Sequence, residues 1–412
     1  MPNSIVLKNG NILDVASGIF QSAQDIYIKD EKIVDITSHT TVSKAGYDEI
    51  DVTGKTVMPG LIDCHVHVLA SEANLGMNAL QPNAIVMFRA VPILNAMLMR
   101  GFTSVRDAGG ADWALARSVA LGLVKGPRIF AAGKALSQTG GHGDFRARGS
   151  LLQLEPCTCC FRSGAIARVV DGVDNVRLAV REELQQGANQ IKIMASGGVT
   201  SPTDPIANTQ YSEAEICAIV DEATAANTYV MAHAYTPRSI KRAVKCGVRT
   251  IEHGNLADQE TAELMAKHGV FAVPTQVTYE MLAKYGAEGG IGEESLMKIE
   301  DVRESGKRAL KYFDDAGVEM GYGSDLLGEM HHYQSHEFLI RAEVLGNLKA
   351  VQSATYVAAK ILNMENLLGC IKTNAIADIL VIDGNPLEDI NLLVNSEQSM
   401  TYIIKNGQIV KG

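Results

Sequence analysis

Between Leu61 and Asp325, short apolar runs alternate with helix-patterned stretches, and few folds accept that alternation. The strand-like runs are Leu61 to Val66, Phe102 to Arg106, Arg128 to Ala132, Gln190 to Ala195, Tyr229 to His233, Thr250 to His253, Gly269 to Pro274 and Val318 to Ser324. Helical stretches lie between most of them: Asn83 to Arg100, Asp171 to Gly187, Ser212 to Asn227, Pro237 to Cys246, Asp258 to Lys267 and Glu294 to Ala316. Ser212 followed by Glu215 reads as a capping box. Strands alternating with helices in this way predict an α/β chain with a TIM-like (β/α)8 barrel. A doubly wound open sheet would need a glycine-rich phosphate turn after the first strand, and none follows Val66. The connection from Ala135 to Val170 is long for a loop in a compact domain, which marks it as functional or disordered.

The two ends of the chain share another pattern. Ile5 to Lys8, Asp25 to Ile28, Lys32 to Ile36 and Glu49 to Val52 are brief β-favouring runs separated by turn signals, among them Asn9-Gly10 and Asp30-Glu31. Ala377 to Ile382 and Met400 to Ile404 are similar, with Lys405-Asn406-Gly407 as a turn. IVLKNGNI near the start and IIKNGQI near the end look like hairpins of one small unit. Residues 1–58 and 365–412 are therefore expected to form a composite β-sandwich domain, and 59–364 the barrel.

The net charge of −10 argues against nucleic-acid binding, which needs a basic surface. No uninterrupted apolar run is long enough for a transmembrane helix, and the start lacks a signal-peptide pattern, so no membrane association is expected. Seven cysteines, with Cys157, Cys159 and Cys160 crowded together, read as reduced thiols of a cytoplasmic protein. No second cysteine pair makes that cluster a zinc finger, so it reads as a loop with small buried side chains. A homo-oligomer is the expected assembly.

Side chains able to bind a metal collect at the C-terminal ends of the strands, where such barrels place their active sites. The first strand ends in His65-Val66-His67, and residues two apart on a strand share a face. His233, His253 and Asp325 end later strands, and Lys192 lies on the fourth. Imidazole and carboxylate donors together suit Zn2+ or a similar divalent ion. An unpaired lysine beside metal cations is unfavourable. Reaction with CO2 would turn it into a carbamate, an anion with two oxygens that can bridge two metals.

With MPGLIDCHVH at 58–67, then Lys192, His233, His253 and Gly323-Ser324-Asp325, the chain resembles the amidohydrolase superfamily over nearly its whole length. The resemblance implies a binuclear metal centre with carboxylated Lys192 as the bridge, His65, His67 and Asp325 on one metal and His233 and His253 on the other. Gly140-Gly141-His142-Gly143-Asp144, Ser196-Gly197-Gly198-Val199 and His233-Ala234-Tyr235 are similar to the prolidase-like branch of metal-dependent dipeptidases. The expected reaction is hydrolysis of Xaa-Pro dipeptides by a metal-bridging hydroxide. Asp325 would shuttle the proton, and Tyr235 or His142 would donate to the oxyanion. A dipeptide carboxylate calls for a donor, for which Arg238, Arg146 and Arg148 are candidates; His142 and Tyr235 are further expected substrate contacts. His331, His332 and His336 read as pocket wall or surface. The alternatives are an Xaa-Arg/Lys dipeptidase, an N-acyl amino acid hydrolase, a cyclic-amide hydrolase, and a non-catalytic scaffold, which loss of a ligand would have favoured.

Overall fold

The computed structural model describes residues 4–42, 44–146, 162–201 and 204–412. In chain order its strands are β1 Ser4–Asp14, β2 Ile19–Lys29, β3 Lys32–Ser38, β4 Asp48–Asp51, β5 Thr56–Pro59, β6 Leu61–Val66, β7 Phe102–Asp107, β8 Arg128–Ala131, β9 Ala135–Ser137, β10 Ala167–Val169, β11 Ile191–Met194, β12 Val230–Ala234, β13 Thr250–His253, β14 Phe271–Val273, β15 Ile379–Ile382, β16 Met400–Lys405 and β17 Gln408–Lys411. The chain divides into two compact units. One comprises Met1–Asp63, Ala96–Ser104 and Phe338–Gly412, the other Cys64–Asn95 and Val105–Glu337.

In the first unit both chain ends enter one sheet, ordered β17-β16-β15-β5-β1-β2-β3, with β4 also paired to β1. The join is β5, parallel to β1 on one side and antiparallel to β15 on the other. Alternate residues of these strands bury an aliphatic core that includes Ile5, Leu7, Ile26, Ile28, Ile379 and Val381. Asn406 and Gly407 make the expected hairpin turn, at φ 48° and 69°, the paired positive values a two-residue turn between twisted strands requires. Asn9-Gly10 does not turn the chain. β1 runs straight through it, and the dipeptide is an irregularity in the register with β2. Asn9 takes φ 60° and donates its N–H to Asp25 Oδ1 at 2.9 Å. A Cβ on Gly10 would stand 2.7 Å from Val57 Cγ2, so the glycine is there for close packing.

The second unit carries a parallel sheet in the order β10-β9-β11-β12-β13-β14. Hydrogen bonds continue round to close the (β/α)8 barrel. Ala272 bridges Met320, Cys64 N–H donates to the Tyr322 carbonyl, Ala108 N–H to Val66, and Asn189 N–H to Ala131. β11 and β12 are buried along their whole length and mostly apolar, which made them legible, while β13 is equally buried although three of its four residues are polar. The expected strand Val318 to Ser324 makes a single bridge to β14, at Met320, instead of a ladder. The long connection begins and ends on the sheet, since β9 and β10 pair in parallel. Arg148 and Cys157, Cys159 and Cys160 lie outside the described residues.

The helices fall where the pattern placed them, among them Asn83–Met99, Glu213–Ala225, Pro237–Lys245 and Glu293–Ala316, and the capping box at Ser212 is formed in full. Leu75–Leu80, Trp113–Ala120 and Gln276–Tyr285 are helices the periodicity did not reveal; each is at most ten residues long. No helix among the described residues is long and apolar enough to cross a membrane.

Candidate metal centre and substrate pocket

The barrel delivers its polar side chains to one end. His65 stands on β6, Lys192 on β11, His233 on β12 and His253 at the end of β13. Asp325 follows the last barrel segment, and its N–H donates to the His65 carbonyl at 2.8 Å. His253 and Asp325 have φ of 69° and 50°, in the left-handed region that non-glycine residues rarely take. Such geometry costs on the order of 1–3 kcal/mol and concentrates at functional sites. Here it turns the chain at the strand end while the side chains stay in the mouth.

Asp325 is the hub. Its Oδ1 lies 3.4 Å from His67 Nε2 and 3.5 Å from His65 Nε2, and its Oδ2 lies 3.8 Å from His253 Nδ1. Donor atoms of His65, His253 and Asp325 all fall within 4.8 Å of one another. The expected grouping put His65 and His67 with Asp325, and His253 with His233. In the structure Asp325 touches members of both sets, and the His233 ring lies 4.7 Å from that of His253. His233 Nε2 also meets the Gly197 carbonyl at 3.1 Å. Buried imidazole nitrogens converging on a carboxylate are a donor set that fits a divalent transition metal.

The charges are tuned by burial. Burial works against ionised Asp325, yet His65, His67 and His253 together hold its carboxyl below the usual carboxylate range. Burial, with Lys192 nearby, pushes His65 far down and His253 to about 3, which favours neutral imidazoles able to donate a lone pair. Lys192 is also lowered by burial, to about 8, although Glu252 and Asp325 oppose the shift.

An outer layer fixes these groups, as metal ligands require. Glu252 Oε2 accepts from His65 Nδ1 at 2.6 Å, while Arg106 donates to both Glu252 oxygens at 2.9 and 3.0 Å. His67 Nδ1 bonds the Gly109 carbonyl at 2.8 Å and His253 Nδ1 bonds Thr275 Oγ1 at 2.8 Å. His142 stacks on His233 at 4.2 Å, and its Nδ1 lies 2.8 Å from Ser201 Oγ, which Asp204 holds in turn. Lys298, from the helix Glu293–Ala316, donates to the carbonyls of Gly198, Ser201 and Asp204 at 2.9–3.1 Å and pins that loop. The Tyr235 and Tyr279 hydroxyls are 2.7 Å apart.

These residues open onto one pocket. His65, His67, Lys192, His233, His253, Asp325, His142 and Tyr235 all line it. Its remaining wall is mostly apolar, with Leu75, Phe145, Ile166, Val199, Leu282 and Leu327. Arg238 does not line the pocket. It is exposed on the helix Pro237–Lys245, because the chain turns away after Tyr235. Arg146 lies against Asp144 in a two-bond pair. His331 is buried and bonds the Ala70 carbonyl, and His332 is exposed. Sequence reasoning missed Arg106, Glu252, Tyr279, Asp204 and Lys298. A signal existed for the first two, since a charge inside a buried strand must have a partner.

The chain belongs to the Amidohydrolase family, whose pattern it matches over residues 56–410. Ochratoxinase from Aspergillus niger is 31% identical over 401 residues, covering 94% of this chain and 82% of that protein. Among solved structures, a prolidase complexed with N-methylphosphonate-L-proline is 64% identical with a TM-score of 0.97, covering 99% of this chain and 100% of the other. A Xaa-Pro dipeptidase with bound methionine is 31% identical with a TM-score of 0.87, each chain covered completely. The protein is a prolidase-like, metal-dependent amidohydrolase.

Proposed function

We propose that the protein is a dipeptidase that hydrolyses the amide bond before a C-terminal proline. The observation that carries this reading is the pocket wall. Among the described residues lining it, Asp325 is the sole carboxylate, and the rest of the wall offers apolar surface to a pyrrolidine ring. A C-terminal Arg or Lys side chain would find no acidic partner there apart from Asp325, which disfavours the Xaa-Arg/Lys alternative. The 64% identity to a prolidase that binds a proline phosphonate supports the same substrate class.

We read the centre as binuclear: His65, His67, His233, His253 and Asp325 would hold the ions, carboxylated Lys192 would complete the set as an anionic bridge, and Zn2+ is the ion the donors suit best. An amine lowered to about 8 is partly neutral near physiological pH, the form that reacts with CO2. When bound, such ions acidify water and polarise the scissile carbonyl. Asp325 accepts the proton of the attacking water and returns it to the leaving imide nitrogen of proline. Tyr279 can donate to Tyr235, leaving the Tyr235 proton to point at the developing oxyanion. Burial raises both phenols, so they stay protonated donors at neutral pH. His142, backed by Ser201 and Asp204, meets the substrate from the other side of His233.

The same reading places the enzyme in the cytoplasm, supported by the reduced thiols at Cys217, Cys246 and Cys370. It takes 1–58 with 365–412 as one domain and 59–364 as the other. Self-association is supported by exposed Ile85 and Phe88 on one helix. A screen of the zinc-reconstituted protein against a dipeptide library tests the function. Turnover confined to, or strongly favouring, Xaa-Pro is expected. An all-negative screen would move the assignment to cyclic amides.

A further inference from the structure

Two thiols outside the pocket stand close enough to join. Cys217 lies on the helix Glu213–Ala225, and Cys246 caps the end of the helix Pro237–Lys245. Their sulfurs are 2.8 Å apart, and Cys246 Sγ also reaches the Glu213 carbonyl at 3.6 Å, in the first turn of the other helix. Cys217 is exposed and Cys246 is 9% exposed. A disulfide holds its sulfurs at about 2.05 Å, and these two already stand closer than unbonded sulfurs in ordinary contact.

We propose that Cys217 and Cys246 are a reversible dithiol–disulfide couple whose co-reactant is a low-molecular-weight disulfide such as oxidised glutathione. The exposed Cys217 reacts first. Its thiolate attacks one sulfur of the small disulfide, that S–S bond breaks, and one small thiol leaves. Cys246 then gives its proton to solvent and attacks Cys217 Sγ. The mixed disulfide breaks and the second small thiol leaves. Two protein thiols are oxidised and one small disulfide is reduced to two thiols, so atoms and electrons balance. Burial and, second to it, the hydrogen bond with Cys217 together push the Cys246 thiol up to about 12. That second contribution disappears once the Cys217 sulfur is in the mixed disulfide. In a reducing compartment such a bond is transient and reports the thiol balance. The two helices flank β12 in the chain, so the bond would staple the repeat that supplies His233 and Tyr235.

The test uses the full chain equilibrated with oxidised and reduced glutathione in varied ratio, quenched with acid, alkylated, digested and mapped by mass. A Cys217–Cys246 cross-linked peptide, two hydrogens lighter than its separate parts, should dominate under excess oxidised glutathione and vanish on reduction. Cys246→Ser should accumulate glutathione on Cys217, whereas Cys217→Ser should leave Cys246 unmodified. Full alkylation of both cysteines in the parent protein under oxidising conditions would overturn the proposal. Glutathione resting on Cys217 of the parent without a cross-link would overturn it equally.

Discussion

His65 Nδ1 lies 2.6 Å from Glu252 Oε2, and this contact decides which nitrogen His65 turns toward Asp325. A carboxylate only accepts, so Nδ1 carries the hydrogen and Nε2, 3.5 Å from Asp325, presents the lone pair. Glu252 is held by Arg106, which is fully buried. The orientation of one ligand therefore rests on an ion pair inside the barrel.

Glu252→Gln should lower metal affinity or activity by about 10–100-fold, the usual cost of losing such a partner. It also leaves Arg106 without its counter-charge, at about 3 kcal/mol of stability. Metal titration and thermal denaturation measure the two effects. Unchanged metal affinity would mean that His65 is oriented by something else.

Lys192→Ala should lose metal and activity together, because it removes the proposed bridge. A short carboxylic acid supplied in solution should restore part of both. Metal analysis of the parent, prepared with Zn2+ and bicarbonate, should approach two ions per subunit. An alanine variant with full activity would dismiss the bridging role.

Asp325→Asn keeps the shape of the hub and removes its basicity. A fall in kcat of about 10²–10⁴-fold is expected, the range for a general acid–base group. Near-normal kcat would place the base elsewhere, with His142 the next candidate. If both metals leave with the substitution, the pH profile of the parent decides, and a flat kcat/KM on the acid side would count against Asp325.

Stability at low pH should report Asp25. This buried carboxylate pairs with Lys8 at 2.7 Å and accepts from Asn9 and Thr40. Burial disfavours its charge, but Lys8 and His39 outweigh that and lower its pKa from 3.8 to about 2. A depressed carboxylate stabilises the fold above its unfolded value and loses that contribution as pH falls from about 4 to 2. The increment is about 2 kcal/mol. Denaturant melts of the parent and Asp25→Asn at pH 7 and pH 2 should converge at the lower pH. An equal gap at both would exclude this origin.

The metal-type side chains were legible because they are rare residue types at the ends of apolar strands, a coincidence with few structural explanations. His65, His67, Lys192, His233, His253 and Asp325 all reach the pocket. What surrounds them was not legible. Lys298 pins the loop around Gly198 from a helix one hundred residues away, and neither sequence position hints at the other. Arg238 misled for the converse reason: proximity to Tyr235 along the chain says nothing of direction once a helix begins at Pro237. Asn9-Gly10 and Asn406-Gly407 are the same dipeptide with different outcomes, because pairing with Asp25 and Val57 keeps the first inside a strand. Local turn preference yields there to long-range packing.

The most direct measurement is kcat/KM of the metal-loaded enzyme for an Xaa-Pro dipeptide beside the matching Xaa-Arg dipeptide and an N-acyl amino acid. The account predicts a value above about 10⁴ M⁻¹s⁻¹ for Xaa-Pro, within the ordinary range for an enzyme on its own substrate, and at least about tenfold lower values for the other two, since an apolar mismatch alone discriminates by that much. Equal or higher values for Xaa-Arg or the N-acyl amino acid would contradict it.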